Sequence, residues 1–194
     1  MIEVRALLGA DITAHLQDVA ALRIAVFADW PYLYQGRLED ERHYVASYAS
    51  NAKSLLMAAF DLGRLVGAST SVPLEDLGPE MAAPLAAIGL RADQVLWGPE
   101  SALLPAYRGQ GIGHRFFDAR EAHARGLQRS HVAFASVLRP DTHPARPANA
   151  RSNDAFWQGR GYAPLPGAKL SFDWQDKGDN VETAKDLQVW VKEL

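Results

Sequence analysis

Apolar and polar positions along the chain repeat with two periods, and the switches between them mark out the elements. Residues 2–8, IEVRALL, read as a first strand. Over residues 12–27 the period lengthens to that of a helix, with Leu16, Val19, Ala20, Arg23, Ile24 and Phe27 near one face. A connection rich in turn formers and aromatics follows, ADWPYLYQGRLED, broken by Pro31 and Gly36, and residues 39–48 read as a short helix. KSLLMAAFDLGRLVGASTSVPL, residues 53–74, places two apolar runs around Asp61, Leu62 and Gly63 and predicts a hairpin. Residues 75–93 are rich in Ala, Pro and Leu and predict short helices. QVLWGPESALLP returns to a strand, interrupted near Gly98 and Pro99 where a bulge fits.

The second half begins with an amphipathic helix over residues 112–125, in which Ile112, Phe116, Ala119 and His123 recur at helical spacing. Glu121 and Arg125 stand as a supporting i,i+4 pair, and Gly126 is a natural stop. HVAFASVL is a nearly unbroken apolar strand of the kind covered on both faces. A proline-punctuated loop, RPDTHPARPANARSN, leads to a short helix, DAFWQGRG, and to two closing strands, KLSFDWQD and LQVWVKEL. The order predicts an α/β chain, residues 1–194 as one domain, with strand–helix–strand units in the middle and antiparallel strands at both ends.

Composition narrows the functional classes. A formal charge of −3 gives no general attraction to nucleic acid or to an anionic membrane. The absence of cysteine excludes disulfides, thiolate metal sites and cysteine nucleophiles. The first residues carry no apolar signal-peptide core, and no apolar run reaches the ~18 residues that span a bilayer. These features point to a soluble, cytoplasmic protein. Histidines and acids show no metal-ligand spacing, so no metal is expected.

The chemistry concentrates in LLPAYRGQGIGHRFF, residues 103–117, where three glycines fall within five residues directly before a helix. Glycine there costs about 1 kcal/mol each relative to alanine if it lies in the helical turn, so something must approach the backbone closely. A dinucleotide fingerprint requires G-x-G-x-x-G, and here the third position is His114. A P-loop requires Gly-Lys before Ser or Thr, and Gly113 is followed by His114 and Arg115. The pattern [Gln/Arg]-x-x-Gly-x-[Gly/Ala] is satisfied throughout Arg108, Gly109, Gln110, Gly111, Ile112 and Gly113. The first amides of a helix lack internal partners, and its dipole favours negative charge, so glycines there bare the backbone for a pyrophosphate beside Arg108.

At these residues the chain resembles the GNAT superfamily of acyl-CoA-dependent N-acyltransferases. LLPAYRGQGIG looks like that family's coenzyme-binding motif, and DAFWQGRGY resembles its next signature, a Leu-Tyr pair followed by Gly-Phe, with Phe156, Trp157, Gly161 and Tyr162 in those places. The resemblance implies the GNAT fold, a mixed central sheet of about seven strands with flanking helices. It implies acetyl-CoA as co-substrate and a small-molecule or peptide amine as acceptor. Leu103 and Leu104 would then meet the pantetheine arm, Arg108 to Gly113 the pyrophosphate, and Asn153, or its rival Asn149, the rest of the coenzyme. Many relatives use the tyrosine of the Leu-Tyr pair to protonate the departing thiolate. Here that place is held by Trp157, which is no useful acid. Tyr162 or Tyr107 takes its role, or no acid is used.

An alkylamine must lose a proton before it attacks, and Glu100, a carboxylate in an otherwise apolar strand beside the expected bulge, is the best-placed base. His143, between prolines on a loop, is a second candidate. Trp30, Tyr32 and Tyr34 in the aromatic connection are expected to wall the acceptor site and to offer a cation–π surface. Asp29 and Glu39 could attract a cationic acceptor. A non-catalytic acyl-CoA sensor on the same fold is the alternative function. The apolar final strand is a candidate for pairing across a homodimer.

Overall fold

The computed structural model describes residues 2–194. The strands are β1 (Glu3–Leu7), β2 (Leu55–Asp61), β3 (Arg64–Pro73), β4 (Val95–Trp97), β5 (Ser101–Leu103), β6 (His131–Val137), β7 (Ala163–Gln175) and β8 (Glu182–Glu193). The helices are α1 (Ala10–Ala14), α2 (Leu16–Phe27), α3 (Leu38–Ser50), α4 (Pro79–Ala86), α5 (Ile112–Gly126) and α6 (Asp154–Gly159). The strands form one sheet in the order β1-β2-β3-β4-β6-β8-β7, with β5 also beside β3. The β4–β6 pair is parallel and the other pairs are antiparallel. Alternation along β2 divides the packing: Ala58 joins the core under α2 and α3, while Ala59 meets Ile112 and Phe116 of α5. No helix among the described residues is long and apolar enough to cross a membrane.

The expected interruption in the fourth strand is present, and it divides the sheet. Val72 of β3 pairs with Trp97 and Ser69 pairs with Ser101, so Gly98, Pro99 and Glu100 stand opposite only Thr70 and Ser71. One extra residue on one strand is a β-bulge, and Pro99 brings no N–H that would need a ladder partner. Up to that point β4 stays with β6, ending on a 2.8 Å bond from Gly98 N–H to Ala133 O. Beyond it β5 remains with β3, while residues 134–137 of β6 pair with β8. The sheet therefore opens between β5 and β6. Bonds from Thr70 N–H to Glu100 O and from Leu104 N–H to Val66 O fix the phase of β5, and alternation turns the amides of Ser101 and Leu103 into the opening.

Arg120 of α5 fills the back of the bulge. It is 2% exposed and donates to the hydroxyls of Ser69, Ser71 and Ser101 and to the carbonyls of Thr70 and Glu100. A Cβ on Gly98 would lie 2.6 Å from its guanidinium carbon, so only glycine leaves it room.

Several sequence expectations need correction. The helix expected over 12–27 is two helices, because His15 leaves helical geometry between them and packs at a tilt against Phe60. The inward stripe of α5 is Ile112, Phe116, Phe117, Arg120, Glu121 and Ala124, with Ala119 and His123 only half-buried. Glu121 turns inward, away from Arg125, to Arg160, Lys192 and the Tyr162 hydroxyl. The closing strands are longer than the apolar runs suggested, because β7 starts before Pro164 and recovers its register only at Lys169. The final strand β8 lies between β6 and β7, so both its edges are already paired and it cannot add to a second copy.

Replacing Arg120 by methionine removes five hydrogen bonds, four of them to buried residues, and is expected to lower the unfolding free energy by about 3 kcal/mol, read from urea denaturation. An unchanged urea midpoint would mean the bulge holds without the guanidinium.

Candidate active site

On the side of the bulge away from Arg120, a cavity of about 740 Å³ opens between α2, α3, the turn after β3, α4 and β7, with Trp97, Pro99 and Glu100 among its lining residues. The bulge sends Glu100 into it. The Glu100 side chain is 5% exposed; its Oε2 lies 2.9 Å from Arg23 Nη1 and accepts a 2.8 Å bond from the Tyr44 hydroxyl. Tyr48 donates to the Tyr44 oxygen at 2.6 Å, completing a short relay. Glu100 Oε1 is buried with no hydrogen-bond partner. Arg23 also pairs with Glu41 and lies over the rings of Tyr44 and Phe27, at 4.3 and 5.0 Å. Burial works against its charge, but Glu100, Tyr44 and Glu41 hold its pKa above the ordinary value.

The connection after α2 supplies part of the wall. Tyr32 and Tyr34 line the cavity, and burial, with Glu100 and Glu41 nearby respectively, pushes each phenol up to about 12. Trp30 is turned elsewhere and packs on His143, ring centroids 5.3 Å apart, so neither residue lines the cavity. Asp29 and Glu39 are likewise outside it; Asp40 and Glu41 take that place. Arg139 fastens the connection, donating to the carbonyls of Pro31 and Tyr32 while gripping both oxygens of Asp176 at 2.7 and 2.8 Å. Trp174 donates its indole N–H to the Tyr32 carbonyl, and Lys185 lies 3.4 Å from Asp176.

At the other end of the opening lies the glycine turn. Gly109 and Gly111 have φ of 74° and 79°, and a Cβ at either position would meet nothing within 4 Å. The backbone there is held in the left-handed region and bared to open space directly before α5, a cradle that side chains would fill. Gly111 is the cap of α5, and Ile112 anchors the helix in the core. Arg108 donates Nε to the Leu103 carbonyl at 3.3 Å, and Gln110 donates to the Ala106 carbonyl. A Cβ at Gly113 would sit in ordinary contact with Phe156 of α6, 3.5 Å away. Asn153, just ahead of α6, and Asn149 in the preceding loop are both exposed.

The phenols expected near a leaving group are placed otherwise. Tyr162 is 2% exposed among Phe117, Phe134 and Trp190, with its hydroxyl given to Glu121. Burial, with Glu121 beside it, raises its pKa well above the ordinary phenol value. It is not placed to protonate anything in the cavity. Tyr107 donates to Asp61. Trp157 packs edge-on against Phe134 and Trp190. As site residues, Arg23, Tyr44, Tyr48 and Arg120 escaped the reading of the sequence; Arg23, Tyr48 and Arg120 carried one signal, a charged or polar side chain on the inward side of a helix.

A family model for the Acetyltransferase (GNAT) family matches residues 20–149, which include the bulge, the glycine turn and α5. The chain belongs to the GNAT acetyltransferase family. As such it is an acyltransferase with acetyl-CoA as its acyl donor. Solved structures agree on the fold at low identity. A ribosomal-protein-alanine N-acetyltransferase from Brucella melitensis is 17% identical with a TM-score of 0.62, covering 99% of both chains. The protein yncA from Salmonella typhimurium, solved with its cofactor acetyl-CoA, is 12% identical with a TM-score of 0.64, over 100% of this chain and 94% of that one. AAC(6')-Iy, solved with the bisubstrate analogue CoA-S-monomethyl-acetylneamine, is 14% identical with a TM-score of 0.60, over 88% and 96%. No curated protein matches this GNAT chain in sequence.

Burial works to raise the pKa of Asp176, but Arg139 and Lys185 outweigh it and hold the carboxyl below its ordinary value. Its stabilising contribution is therefore complete above the unfolded value near 3.8 and is lost as pH falls through the lower folded value. Asp176→Asn is expected to flatten the fall in stability below about pH 4, measured by chemical denaturation across pH. An unaltered slope would show that Asp176 does not titrate with folding.

Proposed function

We propose that this GNAT protein transfers the acetyl group of acetyl-CoA to the primary amine of a small molecule by direct attack in a ternary complex. The observation that carries the reading is Glu100, buried at the bulge with one oxygen unpartnered, where the cavity meets the division of the sheet. A cavity of about 740 Å³ suits a small-molecule acceptor. Leu103, Leu104 and the turn from Arg108 to Gly113, with Asn153 near its far end, are the residues assigned to the coenzyme.

An alkylamine of pKa about 10.4 arrives protonated, and Glu100 takes its proton directly or through water. The nitrogen then forms the C–N bond, the Leu103 amide supports the carbonyl oxygen as it gains charge, and as the C–S bond breaks the nitrogen gives its second proton to water. A thiol of pKa about 8.5 departs as its anion and takes a proton from solvent, so no side-chain acid is required. One proton is released per turnover. The second reading, an acyl-CoA sensor without turnover, draws on Trp157 in the place of the usual acid; thiolate departure unaided answers it.

Acceptor-dependent thiol release decides between the two. Glu100→Gln keeps an acceptor for the Tyr44 hydroxyl and is expected to lower kcat about 100-fold with acetyl-CoA affinity unchanged. Gly111→Trp should abolish saturable acetyl-CoA binding in calorimetry while circular dichroism stays native. No thiol release with any amine, from protein that binds acetyl-CoA, would establish the sensor. Native affinity in Gly111→Trp would move the coenzyme away from the glycine turn.

A further inference from the structure

The charge around the cavity is lopsided in a chain that is nearly balanced overall, with 23 acids against 20 Lys and Arg. Six carboxylates line it, Asp40, Glu41, Asp76, Glu80, Glu100 and Asp173, against one cation, Arg23. That guanidinium is already engaged by Glu41 and Glu100. The carboxylates fall into two depths. Glu41 and Glu100 are buried, whereas Asp40, Asp76, Glu80 and Asp173 are exposed and come from three stretches of the chain, α3, the turn leading into α4, and β7. Asp76 accepts a bond from Asn51 and Asp40 stands 3.8 Å from Arg37, while Glu80 and Asp173 make no ion pair among the described residues.

An independent feature at the floor points to the same ligand chemistry. Glu100 Oε1, on a side chain only 5% exposed, has no donor. A buried acceptor left without a donor is costly, and an amine brought against it supplies the missing hydrogen. Tyr32, Trp97 and Trp174 add apolar lining that suits the methylene chain of an alkylamine. Arg23 is ion-paired with Glu41 and Glu100, so an anionic acceptor would compete with two buried carboxylates for it, even though its Nη1 has no hydrogen-bond partner.

We propose that the acceptor carries at least two amino groups, one presented to Glu100 for acylation and a second, protonated, held at the mouth by Asp40, Asp76, Glu80 and Asp173. This rests on the amine-transfer reading above and names the substrate class. Single exposed ion pairs contribute little, so the preference comes from several rim charges acting together and weakens with salt.

The test is calorimetric titration of the CoA-bound protein with 1,4-diaminobutane, butylamine, phenethylamine and 4-aminobutanoate, at low salt and at high salt. The diamine is expected to bind about tenfold more tightly than butylamine at low salt, with the advantage fading at high salt. The double substitution Asp76→Asn with Glu80→Gln, both exposed, is expected to erase most of that advantage. Equal affinity for diamine and butylamine, or tighter binding of phenethylamine or 4-aminobutanoate, would overturn the proposal. Thiol release over the same amines separates the two readings. Turnover of butylamine with no diamine preference defeats the two-cation acceptor and leaves amine transfer standing. A diamine preference in binding without turnover of any amine supports the two-cation site and defeats the transfer reading.

Discussion

Arg120 enters the sheet from α5 with no carboxylate to meet it, and its guanidinium is shared among three serine hydroxyls and two carbonyls at the back of the bulge. Burial pulls its pKa below the ordinary value, so a desolvation cost is borne at this point of the fold. In return the guanidinium ties Ser69, Thr70 and Ser71 of β3 to Glu100 and Ser101, across the stretch where one strand has a residue too many. The division of the sheet, the inward turn of Glu100 and the cleft-facing amides of β5 all hang on that stretch. Gly98 and Pro99 permit the bulge: one has no Cβ to collide with Arg120, the other no N–H to leave unpaired.

Other ion clusters position what surrounds the bulge. Asp176 gathers Arg139 and Lys185 and so fixes the loop carrying Tyr32 against the end of β7. Glu121 gathers Arg160, Lys192 and Tyr162, joining α5 to the segment after α6 and to β8. Burial opposes its charge, but Lys192 and Arg160 hold the carboxyl below its ordinary pKa. Charge is also sorted between the two ends of the opening. Carboxylates line the cavity, and Arg108 and Arg115 flank the glycine turn.

Elements defined by local constraint were legible in the sequence. The hairpin around Gly63, the helix after the glycine turn and the break at Gly98 and Pro99 stand where the pattern put them. Glu100, as a lone carboxylate in an apolar strand, drew notice for the same reason. Periodicity misled where buried side chains are charged. The inward face of α5 holds Arg120 and Glu121, and a reading based on apolar spacing settled on Ala119 and His123 instead. Arg23 stood on the inward stripe of α2, but nothing local revealed that Glu41 and Glu100 would meet it there.

By itself the sequence determined that the backbone before α5 is free to turn left-handed, where a strand must break and which runs alternate with helix or strand period, because φ restrictions and side-chain periodicity act over a few residues. Tertiary structure alone decided that Tyr32 and Tyr34 face the cavity while Trp30 packs on His143, that Tyr162 gives its hydroxyl to Glu121, and that β8 lies inside the sheet. Each of those outcomes depends on partners brought together from distant parts of the chain, 107 to 108 residues apart where Arg139 holds the carbonyls of Tyr32 and Pro31. Burial and ion pairing are properties of such assembled neighbours, and no single stretch of sequence contains them.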